Sequence, residues 1–181
     1  MANYKNQYDA ICDFENKLKS AYFTNELDVI GPSTAKQNDN KSDSGTAYVL
    51  TSKPNQVSQL GTIYVEGLRK GVYNLNIRLK SSDVTTSSSL YKITISRLVD
   101  GNDIGEAQPI SEQTITGTNF SYCGTDEYSN IIVPLKNIGN SDATASKICI
   151  SIEINSLSSA KTLSFDYCDI QLSGVHLSTP S

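Results

Sequence analysis

His176 is the only histidine in the chain, so a Ser-His-Asp or Cys-His site would have to recruit it. It sits in GVHLSTPS, with no nucleophile elbow or comparable motif beside it, and reads as a surface or assembly-contact residue. A single histidine also removes the usual zinc and iron donor sets. Asp166 and Asp169 are the nearest approach to paired carboxylates, but their spacing points them to opposite faces of a regular strand. Glycosidase chemistry needs both carboxyls in one cleft. Asp100, Asn102, Asp103 and Glu106 superficially resemble a calcium loop. However, Ile104 stands where the EF-hand pattern places its fifth-position ligand, and Asp100-Gly101 reads more simply as a hairpin turn. Neither GxxxxGK[ST] nor GxGxxG occurs, which leaves nucleotide chemistry without support. Cys12, Cys123, Cys149 and Cys168 form no CxxC pair and read as reduced structural thiols. The expectation is a chain that is not an enzyme and has no catalytic residue, metal or cofactor.

The elements that would position any site are strands. In Gly71–Ser82, Tyr73, Leu75, Ile77 and Leu79 alternate with Val72, Asn74, Asn76, Arg78 and Lys80, the two-residue period of a half-buried strand. The same reading predicts strands at Thr46–Ser52, Gln59–Glu66, Leu90–Val99, around Gln113–Thr116, at Tyr128–Leu135, Lys147–Asn155 and Thr162–Ser173. Pro134 implies an edge or a strand end. No helical pattern intervenes, so the body is an all-β sandwich. Its last two strands allow two arrangements. As a hairpin they would bring Cys149 opposite Cys168, with Leu163, Phe165 and Tyr167 on one face. In a jelly roll they would lie in opposite sheets with the thiols apart.

The chain has 181 residues, enough for one domain with an appendage and a sizeable core. A net charge of −4 and scattered arginines argue against nucleic acid as the main partner. No apolar run has the length of a signal peptide or a membrane span, so synthesis in a cytoplasm is expected. Ahead of the strands, residues 3–23 read as a helix. Ile11, Phe14, Leu18 and Ala21 form its apolar stripe, with Tyr4 one heptad upstream of Ile11 and Tyr8 and Tyr22 on its flanks. This arm, residues 1–30, either lies on the β body or serves as an oligomerisation and docking helix. Residues 31–45 are rich in Pro, Gly, Ser, Asn and Asp, the composition of a linker. The body is then 46–174 and the tail 175–181.

Gly71, Tyr73, Lys80, Ser81 and Ser82, a Ser/Thr loop and a further alternating strand resemble a galactose-binding-domain-like jelly roll. The final strand with Leu163, Phe165, Asp166, Asp169 and Ile170 fits the same pattern. The resemblance implies a jelly-roll β-sandwich, here with an N-terminal α-helical arm. Domains of this kind serve as carbohydrate-binding modules and as structural or adsorption domains of tailed-phage virions. Sugar-binding members stack ligands on aromatics, often Trp, and this chain has no Trp. Tyr122 and Tyr128, with Asp126 between them, are the substitutes on offer, set against a plain role capping the core edge. The expected function is a non-enzymatic bacteriophage virion protein, a capsid- or tail-associated decoration or fibre protein. Its expected partners are copies of itself, other virion proteins and, through the alternative reading as a carbohydrate-binding module, a host-surface glycan. Neither nucleic-acid binding nor membrane insertion is expected.

Overall fold

The computed structural model describes residues 25–68, 71–97, 108–138 and 146–172. The arm with Tyr4, Tyr8, Ile11, Phe14, Leu18 and Tyr22, the Asp100–Glu106 turn and the tail with His176 lie outside them. The described strands are β1 (Val29–Ile30), β2 (Thr34–Asn38), β3 (Thr46–Thr51), β4 (Ser58–Leu68), β5 (Gly71–Ser81), β6 (Ser89–Arg97), β7 (Gln108–Thr116), β8 (Ser129–Ile138), β9 (Ser146–Ile154) and β10 (Thr162–Leu172). They form two five-stranded antiparallel sheets, ordered β1-β4-β9-β6-β7 and β2-β3-β10-β5-β8. This is a jelly-roll sandwich. No helix among the described residues is long and apolar enough to cross a membrane.

The alternation read from the sequence is the alternation of burial. Ile148, Ile150, Ile152 and Ile154 on β9 face Tyr73, Leu75, Ile77 and Leu79 on β5 across the interior, and all are buried. Tyr91, Ile93 and Ile95 of β6 and Leu163 and Phe165 of β10 complete the same layer. At β4 the inward places are Leu60, Ile63 and Val65, because a bulge between Gln59 and Gly61 shifts the period. Gly61 also lets β1 approach. A Cβ there would lie 2.4 Å from the Val29 carbonyl oxygen and 2.8 Å from Leu27 Cδ1.

One open alternative is settled and two expectations change. First, β9 and β10 lie in opposite sheets, which selects the jelly-roll arrangement: Cys168 points into the core, whereas Cys149 sits between Tyr64 and Ser96 on the other sheet. Second, β10 is not regular. A bulge between Phe165 and Cys168 hands the next inward places to Cys168 and Ile170 instead of Tyr167. Third, the stretch expected as a linker contains β2, which pairs residue by residue with β3 from Thr34↔Leu50 to Asn38↔Thr46. The strand Thr34–Asn38 buries none of its side chains fully, so it carries no alternation to read; backbone hydrogen bonds hold it. The sheets thus start well before Thr46.

Ile152 is fully buried on a central strand, whereas Ile132 on the edge strand β8 is 53% exposed. Ile152→Ala is expected to cost about 2–5 kcal/mol and Ile132→Ala no more than about 0.5 kcal/mol, read from urea midpoints at constant slope. Equal losses would contradict the inward assignment.

Candidate functional site

The register places the described connections 52–57, 82–88, 117–128 and 155–161 at one end of the sandwich. Ser81 lies opposite Leu163, Ser129 opposite Leu79, Ile154 opposite both Ser58 and Tyr91, and Thr116 opposite Ser89. Each of these connections crosses from one sheet to the other. The opposite end holds Leu172 of β10, paired with Tyr73, Leu68 of β4, paired with Ser146, and Ile138 of β8, paired with Gly71. Asn25, where the described chain begins, exchanges backbone hydrogen bonds with Cys168 at 2.8 and 3.1 Å, on the half of β10 nearer that opposite end.

At the crossover end, the 3₁₀ turn Gly117–Phe120 leads from β7 into the loop that carries the sequence candidates. Phe120 is buried and meets Tyr91 edge to face, with ring centroids 5.8 Å apart. Thr116 and Asn119 close a capping box at its start. Beyond this anchor Tyr122 is 101% exposed, as open as a side chain can be, and Asp126 is also exposed. Tyr128 is covered, only 7% exposed, and donates its hydroxyl to Asp39 Oδ2 at 2.9 Å. Of the three candidates, only Tyr122 and Asp126 therefore present side chains to solvent; Tyr128 is buried outside the core cluster.

Tyr128 belongs to a polar latch that sequence reading missed. Asp39–Gly45, the turn after β2, folds over the outer face of the β5–β10 sheet. Lys80 pairs with Asp39 and sits 4.9 Å above the Tyr128 ring centre. Arg78 lies 5.4 Å from the Tyr128 ring and 5.8 Å from the Tyr167 ring, and its Nη1 is 3.3 Å from Asp166 Oδ2. The Asp43 amide donates to the same oxygen at 2.9 Å, and Lys41 pairs with Glu127. The β10 bulge builds this site, because it brings Asp166 and Tyr167 out together beside Arg78. Asp166 and Asp169 consequently share the outer face rather than opposite faces, yet they do not form an acid–base pair over a cleft. The Asp166 side chain is 1% exposed and spent on Arg78 and the Asp43 amide. Asp169, beside Asn76 across the strand pair, has a buried Oδ1 that accepts no hydrogen bond. Only the spacing of Lys41, Arg78 and Lys80 against Asp39 and Asp166 could have hinted at the latch, and pairing over that distance in sequence needs the fold.

Burial pushes Tyr128 well above the ordinary phenol range, and the Asp39 carboxylate adds to it. Burial alone would raise Asp39, but Lys80, the Lys41 amide and the Tyr128 hydroxyl outweigh it and hold that carboxyl low. For Asp166 burial prevails over the Asp43 amide and Arg78, and the carboxyl is raised.

No family model and no curated protein sequence matches this chain. Solved structures do. A Bacteroides thetaiotaomicron protein provisionally described as sugar-binding superposes with a TM-score of 0.51 at 10% identity, over 82% of this chain and 85% of its own. The likeness is one of fold, a jelly-roll β-sandwich. A family 61 carbohydrate-binding module in complex with β-1,4-galactotriose gives a TM-score of 0.46 at 14% identity, over 86% of this chain and 94% of its own. Tailspike protein 4 of bacteriophage CBA120 gives 0.48 at 11% identity, over 87% of this chain but 20% of the tailspike chain.

Arg78→Met leaves Asp166 buried without its cation and is expected to cost about 1–3 kcal/mol at neutral pH. Because the folded-state pKa of Asp166 lies above its unfolded value, the folded chain holds that proton more tightly. The loss should shrink as pH falls through the raised pKa toward the ordinary carboxylate range. Urea titrations across that range check it; a loss independent of pH would remove Asp166 as its source.

Proposed function

We propose that this chain is a non-enzymatic display protein of a bacteriophage virion, a capsid- or tail-associated decoration or fibre protein. The observation that carries the reading is the polarity of the sandwich. The described chain begins and ends toward one end, at Asn25 and Leu172, and the crossover loops with Tyr122 stand at the other. A body built this way is held at one end and faces outward at the other. The arm's stripe of Ile11, Phe14 and Leu18 supplies the hold, by burial against copies of the chain or other virion proteins. The ionisable groups of the body support a structural rather than a catalytic role. Asp39, Asp83 and Asp166 are each tied to a cation, so none of these three is a free carboxyl for acid–base work.

A second reading is favoured by Tyr122. A fully exposed ring on an anchored turn suits the apolar face of a sugar, with the Asp126 carboxylate as an acceptor for hydroxyls. The crossover end then recognises a host-surface glycan while the arm anchors the protein. The provisional description of the Bacteroides protein makes glycans the first ligands to try.

Mass spectrometry of density-purified particles of a phage encoding this chain is expected to find it at a fixed copy number. Absence from intact particles contradicts the virion assignment. On a glycan array the full chain is expected to bind a restricted set of glycans, with Tyr122→Ala reducing affinity about tenfold, or about 1.4 kcal/mol. Undiminished binding by that variant moves recognition elsewhere.

A further inference from the structure

The loop after β5, SSDVTTSSS, looks in sequence like a polar connection without a task. In the structure its Asp83 is where the crossover connections meet. Asp83 Oδ1 accepts the backbone N–H groups of Thr85 at 3.0 Å and Thr86 at 2.9 Å. Its Oδ2 accepts the Thr86 hydroxyl at 2.6 Å and Lys161 Nζ at 2.7 Å, with the carboxylate side chain 9% exposed. The Asp83 amide and carbonyl both bond Ser81 Oγ, which also meets the buried Tyr91 hydroxyl at 2.5 Å. Lys161 continues the chain of contacts, since its amide donates to Ser52 Oγ at 2.9 Å and its carbonyl accepts the Ser52 amide at 2.9 Å.

The Tyr122 loop is seated on this node. Gly117, which opens its 3₁₀ turn, lies so close that a Cβ there would be 2.7 Å from Asp83 Oδ1 and 2.9 Å from the Thr86 amide nitrogen. The Thr118 amide donates to the Thr86 carbonyl at 3.2 Å. The backbone of residues 117–118 thus rests on the turn that the Asp83 carboxylate holds closed. A neutral side chain cannot take two amides, a hydroxyl and an ammonium together with charge-assisted strength. Lys161 first, then the Thr86 hydroxyl and amide, hold the Asp83 carboxyl far below the usual carboxylate range, so it stays ionised through neutral and mildly acidic pH.

We infer that Asp83, ion-paired to Lys161 and packed under Gly117, is the positioning residue for the Tyr122 loop. The inference rests on the reading of that loop as the partner-facing surface, and it adds the device that keeps the ring presented rather than mobile. Preorganisation of this kind lowers the ordering cost of binding.

The chain has no tryptophan, so Tyr122→Trp in the full-length protein supplies a single reporter at the loop tip. Time-resolved fluorescence anisotropy then measures its local motion in that background with Asp83→Asn, Lys161→Met or Lys161→Arg added. The fast depolarisation amplitude should rise about twofold with Asp83→Asn and with Lys161→Met, and stay at the parent value with Lys161→Arg. Hydrogen exchange across Ile148–Ile154 should not change in any of them. An unchanged amplitude with both Asp83→Asn and Lys161→Met overturns the inference. So does a rise matched by faster exchange throughout β9, which would mark general destabilisation. Lys161→Met, at a partly exposed side chain, keeps the test decisive if Asp83→Asn does not fold. The reporter needs no ligand. A silent glycan array with the expected anisotropy changes would sink the recognition reading alone.

Discussion

No strand of one sheet pairs with a strand of the other among the described residues, so the two layers are joined by packing between their inner faces. Fully burying one Ile, Leu or Phe side chain is worth about 1.5–3 kcal/mol, and the interior is filled by such side chains from β3 through β10. The polar features of the molecule hang on this contact. Arg78 and Lys80 reach the latch because their neighbours Ile77 and Leu79 are committed inward. Asp83 can pin the crossover end because Tyr91 and Phe120 lock their strand and turn into the core below it. A one-residue slip of β5 would exchange the two sets.

The β10 bulge shows how one irregularity reassigns chemistry. A regular strand would separate Asp166 from Asp169 and send Tyr167 inward. With two residues accommodated between Phe165 and Cys168, Tyr167 stacks on Arg78 and Asp166 meets the Asp43 amide. The acidic pair then becomes part of the outer surface of a sheet, with Asp166 neutralised and desolvated. The same bulge gives the turn after β2 a charged ledge on which to close, and that closure ties an edge strand of exposed side chains to the body.

Most of the strand inventory was legible because strands buried on one face carry their period in plain residues: Ile148, Ile150, Ile152 and Ile154 could be read from the page. What escaped shares a physical cause. β2 is an edge strand held by backbone bonds, with side chains in water, so its composition reads as linker, and β1 has two residues, too few to show a period. The bulge at Phe165–Cys168 leaves no residue signature, while the one at Gln59–Gly61 carries a mid-strand glycine that the alternation alone does not interpret. Of the candidate site, Tyr122 and Asp126 were placed in a loop and are there. Tyr128 could not be told from them, since its burial depends on Asp39, Arg78 and Lys80, which arrive from distant stretches. Asp83 was invisible for the same reason: its partner Lys161 is 78 positions away.

The central claim is a directional one: the sandwich is held near Asn25 and Leu172 and presents its crossover loops. Hydrogen–deuterium exchange on the full chain, free and within purified particles, tests it most directly. The account predicts new protection in residues 1–30 and around Cys168–Leu172, with residues 82–88 and 117–127 exchanging as they do in the free protein. New protection confined to those loops, with the N-terminal residues unchanged, would reverse the orientation and contradict the account.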